Sequence, residues 1–199
     1  MDWKVIKLIK PNEATGEAKE VYDEIVRVEG TRWLVPLWGF FAIRPKLLRH
    51  VWNTLRTLEI DEGPTPRTLM SAISLVVATG VGCLRCANYH EETLRQLLGV
   101  SKEYVEKIRN FEGSDLSEKE KVALRFARKV GLGIELEDSE FKAVRDHGYT
   151  DEQITEMAYI AIFEAGLARH AFTLARFEDA LEWPEENTPS EFYKKHADK

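Results

Sequence analysis

The chain has only two cysteines and three methionines in 199 residues, so it cannot be held together by a disulfide scaffold. A chain of this length can bury a sufficient core without such staples. Alternation of apolar and polar residues is nowhere sustained, which argues against β-strands and for an all-α chain. The longest apolar run, residues 72–82, is about half of what a membrane span needs. No basic run is present and the net charge is −6, which argues against a general nucleic-acid binder. The first residues lack the charged-then-apolar layout of a signal peptide. A cytoplasmic setting without membrane association is therefore expected, and there a close cysteine pair is more often catalytic or metal-binding than structural.

What is present centres on the two cysteines, which stand together in Gly82-Cys83-Leu84-Arg85-Cys86-Ala87-Asn88-Tyr89-His90. In a helix, Cys83, Cys86 and His90 fall at i, i+3 and i+7 on one face, which Leu94 and Leu97 continue toward packed protein. Thiols at a helix start gain from unpaired backbone N–H groups and the positive end of the helix dipole, both of which favour thiolate. One helical turn brings the Cα atoms of an i, i+3 pair to about 5–6 Å, close enough for a disulfide. The segment reads as a redox dithiol with a base, His90, one turn from Cys86. The blander readings are an inert buried pair and a satisfied core histidine.

The rest of the chain reads as helices. An extended arm over residues 1–12 leads to a first helix over 13–28, stopped by Gly30. The aromatic-rich residues 33–41 suit core or subunit-interface packing. Pro45 opens a helix reaching Ile60, with Leu47, Leu48, Val51, Leu55 and Leu58 at helical spacing. Thr65 and Pro66 supply an N-cap and N1 for a helix over residues 66–79. That helix is apolar on nearly every side, so it belongs in the centre of a bundle, with Gly80 and Gly82 breaking it before Cys83. The dithiol helix runs to Leu98, and a short helix follows from Ser101. Ser117–Glu120 and Thr150–Gln153 are capping boxes, on either side of a shorter helix over residues 138–147. The second box opens a long helix to about Leu181, which Pro184 ends.

These features resemble the AhpD-like and carboxymuconolactone decarboxylase superfamily, particularly its peroxidase-related members. The carriers are the apolar helix ending in glycine, Cys83-x-x-Cys86-x-x-x-His90, the helix closed by Gly99, and the pattern from Leu136-Glu137-Asp138 through Gly148-Tyr149-Thr150-Asp151-Glu152-Gln153. The resemblance implies an AhpD-like antiparallel helical bundle in a single domain over residues 1–182. Its redox core would span about 45–110 and its C-terminal helices 117–182, with a tail over 183–199. It also implies a homo-oligomer, trimeric or hexameric, and reduction of small-molecule hydroperoxides without a cofactor. Cys86 would attack the peroxide with His90 as proton acceptor, and Cys83 would resolve the sulfenic acid to a disulfide. A thiol reductant, a dithiol protein or lipoyl-type partner, would restore the pair. The chemistry agrees, since the cysteine nearer the histidine is the better nucleophile and a neighbouring thiol rescues sulfenic acid.

In the family pattern a glutamate twelve residues before the first cysteine completes a proton relay; here that position is Ser71, a candidate relay group in its stead, and no Asp or Glu occurs between Gly63 and Tyr89. Glu164, a lone carboxylate in an apolar helix, is costly to bury unless paired, so it is a candidate to approach His90. A salt bridge to Arg169 or a subunit contact is the simpler alternative, and His170 is a further unranked neighbour. Other readings stay open: disulfide exchange with peroxide incidental; a decarboxylase or other lactone-handling enzyme on the same fold; and a helical scaffold locked by its oxidised pair. A zinc site is another, with Cys83, Cys86 and His90 joined by His50, His147 or His170.

Overall fold

The structure is a computed structural model, and it describes residues 7–174, with side chains to His170 apart from that of Arg32. The described residues are helical, with no strand element among them. They fall into two compact units, divided between Arg56 and Thr57 and between Ala171 and Phe172. Residues 1–6 of the arm expected over 1–12, the helix end near Leu181, the stop at Pro184 and the tail lie outside the described residues.

The first unit holds α1 (Gly16–Glu29), a 3-10 turn (Thr31–Trp33), α2 (Pro36–Ala42) and α3 (Pro45–Leu55). Helix α1 begins three residues later than expected because residues 11–13 form a turn in which Glu13 and Ala14 donate to Lys10 O. Proline at N1 opens α3 as expected. The aromatic segment folds inward: Trp33, Trp38 and Phe41 are buried, Trp38 Nε1 donates to Trp33 O at 3.0 Å, and Trp38 meets Trp52 edge-on at 5.8 Å. These aromatics are core, which removes the motive they offered for a subunit interface.

The second unit is built on α4 (Arg67–Val81), flanked by α5 (Leu84–Glu92), α6 (Lys102–Arg109) and α7 (Glu118–Leu132). Every residue of α4 from Met70 to Ala78 is buried, as its all-round apolarity requires. Burying each large side chain here stabilises the fold by roughly 1.5–3 kcal/mol. Pro66, rather than Thr65, is the N-cap, and its carbonyl accepts from Leu69 and Met70. The helix also continues through Gly80 to Val81 instead of ending at Thr79. Helix α8 (Asp138–Asp146) and α9 (Asp151–Leu174) complete the order of elements. Both expected capping boxes form, Ser117 with Glu120 and Thr150 with Gln153. A Cβ on Gly131 would stand 2.7 Å from Val77 Cγ1 and 3.0 Å from Ala161 O, so α4, α7 and α9 approach closely at that glycine. No helix among the described residues is long and apolar enough to cross a membrane.

Candidate active site

The site lies within the second unit. Helix α4 ends at Gly82, whose φ of +86° is left-handed, while Cys83 N–H donates to Ala78 O at 3.0 Å. Only glycine takes that conformation without strain, and it turns the chain straight into the cysteine pair. Cys83 is the N-cap of α5 rather than a residue within it, and its Sγ accepts Cys86 N–H at 3.3 Å. The pair forms a disulfide with Cα atoms 5.4 Å apart. Cys83 is buried and Cys86 half-buried, while Leu84 and Arg85 between them are exposed. One sulfur is thus more accessible than the other, at a helix start whose dipole favours thiolate.

His90, in the last turn of α5, is 3% exposed. Its Nε2 lies 3.1 Å from Glu164 Oε2, so α9 brings a buried carboxylate to the imidazole. Burial pushes the Glu164 carboxyl above its ordinary range; the Glu59 charge adds to this, and the pull of His90 only partly offsets it. Arg169 instead donates to Ala165 O. Glu164 Oε1 accepts no hydrogen bond.

A second carboxylate stands on the other edge of the ring. Glu59, 6% exposed, comes from a five-residue π-helical turn (Arg56–Ile60), and its Oε2 lies 3.7 Å from His90 Nδ1. Its Oε1 accepts from the Ser74 hydroxyl at 2.6 Å. The sequence reading missed Glu59. The signal was its place seven residues after Trp52 and four after Leu55, on the spacing of buried residues. Ser71 is fully buried and its hydroxyl makes no hydrogen bond.

Three further histidines were candidate zinc ligands. His147 Nδ1 lies 2.7 Å from Ala143 O within its own helix end, and His50 and His170 are exposed. Among the described residues, no group of three or more His, Cys, Asp or Glu side chains is arranged to hold a metal ion.

No protein-family model matches the chain, and no curated protein does. Solved structures do. The alkylhydroperoxidase AhpD core of an uncharacterized peroxidase-related protein from Ralstonia eutropha JMP134 is 21% identical, with a TM-score of 0.73 over 84% of this chain and 88% of that one. An uncharacterized peroxidase-related protein from Silicibacter sp. TM1040 is 19% identical, with a TM-score of 0.72 over 97% of this chain and 92% of that one. The debrominase Bmp8, as a cysteine-to-alanine variant in complex with 2,3,4-tribromopyrrole, is 16% identical, with a TM-score of 0.74 over 98% of this chain and 96% of that one. Likeness at such identities speaks for architecture and not for substrate, and on it the chain has the all-α AhpD-like fold.

Proposed function

We propose that the protein is a thiol-dependent peroxidase and disulfide oxidoreductase that reduces organic hydroperoxides. The observation that carries this reading is a joined cysteine pair at a helix start, one turn before a buried imidazole that holds a carboxylate at Nε2. In the reduced pair, the Cys86 thiolate attacks a peroxide oxygen. The S–O bond forms, the O–O bond breaks, and the alkoxide leaves as the alcohol with the proton that His90 took from the thiol. Cys83 then attacks the sulfenic sulfur; the S–S bond forms and the hydroxyl leaves as water. Two electrons pass from the dithiol to each peroxide, and an external dithiol, protein-borne or lipoyl-type, returns them by exchange through a mixed disulfide.

Cys86 takes the attacking role because it is the more exposed sulfur and stands one turn from His90, while Cys83 is buried against the Cys86 N–H. Glu164 takes the relay role in place of Ser71, because it contacts the imidazole and its burial favours holding a proton. The same reading places the protein in a reducing cytoplasm as a homo-oligomer; exposed Tyr159 and Ile162 on α9 offer apolar surface for a second copy.

The test titrates thiols in reduced protein before and after one equivalent of cumene hydroperoxide. Wild type loses both thiols, Cys86→Ser loses none, and Cys83→Ser yields a sulfenic acid that dimedone traps. Rapid disulfide exchange without peroxide consumption would reduce the reading to a dithiol exchanger, and inert thiols would end it.

A further inference from the structure

The Glu59 carboxylate and the Ser74 hydroxyl play no part in the steps above, although Glu59 is buried beside the imidazole that does and buried Ser74 bonds to Glu59. Among the described residues, the His90 ring lies at ion-pair distance from both Glu59 and Glu164, and neither carboxylate has another ion pair. A buried carboxylate without a counter-charge is costly, so a charged Glu59 beside the ring favours the protonated imidazole. Glu59 acts on the Nδ1 edge at ion-pair distance, and Glu164 on Nε2 at hydrogen-bond distance. Facing His90 among others are Glu59 from the π-turn, Glu164 from α9, and Tyr89 on its own helix, whose ring stands edge-on at 5.3 Å. Ser74, from α4, faces the cluster through Glu59, and its hydroxyl fixes that carboxylate by donating to Oε1. The π-turn that carries Glu59 buries Leu58, Glu59 and Ile60 in succession, an irregularity often found where a helix serves a site.

We propose that Glu59, held by Ser74, is a positioning residue that keeps His90 in its imidazolium form, so that a thiolate–imidazolium pair with Cys86 exists at neutral pH. This deepens the reading above and rests on it for the pairing of His90 with Cys86. Glu59 does not touch the peroxide; it acts through the ring.

The experiment follows the His90 ring signals by NMR against pH in the oxidised protein, and the alkylation of reduced protein by monobromobimane, for wild type, Glu59→Gln, Glu59→Asp and Ser74→Ala. Removing one opposite charge at this range lowers the His90 pKa by about one unit in Glu59→Gln. Alkylation near pH 7 then slows roughly five- to tenfold and its pH profile moves upward. Glu59→Asp retains most of the wild-type behaviour, and Ser74→Ala falls between. A purely packing role would lower stability and leave the His90 titration where it was. An unchanged His90 titration in Glu59→Gln, or in Ser74→Ala if Glu59→Gln does not fold, overturns the proposal. Peroxide consumption is measured beside it: a wild type inert to peroxide whose His90 titration still shifts in Glu59→Gln defeats the peroxidase reading and leaves Glu59 in its role.

Discussion

Replacing Glu164 by glutamine removes one buried carboxyl and keeps its shape. Its side chain is 4% exposed, its Oε1 accepts no hydrogen bond, and only Oε2 meets a partner, His90 at 3.1 Å. Burial raises its pKa in the folded protein above the ordinary 4.5. The native state therefore binds this proton more tightly than the unfolded chain does. Stability from it is fully present below about pH 4.5 and is lost as pH rises through the folded pKa. One proton sets the largest slope, about 1.4 kcal/mol of stability per pH unit within that window. For a chain of this size that corresponds to roughly 3–5 °C in melting temperature per pH unit. Every other carboxyl is common to both proteins, so the difference between wild type and Glu164→Gln isolates this site and its effect on His90. Urea unfolding of the oxidised proteins at half-unit steps from pH 4 to 8 measures it. The expected result is that Glu164→Gln gains on wild type as pH rises, with unchanged m-values. Parallel pH curves, or a variant that loses ground as pH rises, would refute a carboxyl whose proton is held by burial. The variant should also consume peroxide about tenfold to a hundredfold more slowly, because the imidazole loses the ionisable partner at its Nε2.

Two further outcomes follow from packing and from a buried phenol. Gly131→Ala places a methyl 2.7 Å from Val77 Cγ1 and 3.0 Å from Ala161 O, and overpacking of this kind costs about 1–3 kcal/mol. Better helix propensity returns at most about 1 kcal/mol, so a lower urea midpoint is expected, and a midpoint at or above wild type contradicts the close approach of the three helices. Tyr149 donates to Lys119 O at 3.2 Å, and burial, with the nearby Glu120 charge, pushes its phenol up to about 12. Its stabilising proton is therefore kept until pH passes from about 10 toward 12, and Tyr149→Phe should remove a late step from the 295 nm absorbance titration; loss of a step near pH 10 would contradict the burial.

How much of this was legible in the sequence depended on how far each residue's cause lies from it along the chain. Pro45 at N1 and the Ser117–Glu120 and Thr150–Gln153 boxes are settled by atoms within one helical turn, and they were read correctly. Gly80 misled, because glycine as a helix breaker is only a propensity: α4 runs through it, and a Cβ there would stand 3.2 Å from Leu132, a neighbour more than fifty residues away. The aromatic segment was read as core or subunit interface, and the sequence offered no choice between the two. Density of tryptophan and phenylalanine marks burial, but only the packing of α2 against α3 says that the burial is internal.

The site shows the same divide in its two carboxylates. Glu164 was visible because an acidic residue in an apolar helix is a local anomaly, and His90 was named as its candidate partner although the two stand seventy-four positions apart. Glu59 was harder, since it lies beside Asp61 and Glu62, where an acid looks like the solvated end of a helix. The stripe through Trp52 and Leu55 pointed to its burial, but a π-turn leaves no periodicity of its own to read. A search for the relay confined to the residues just before the cysteines was therefore bound to end at Ser71. The acids around His90 come instead from a turn before α4 and from α9, and packing rather than spacing brings them to one ring.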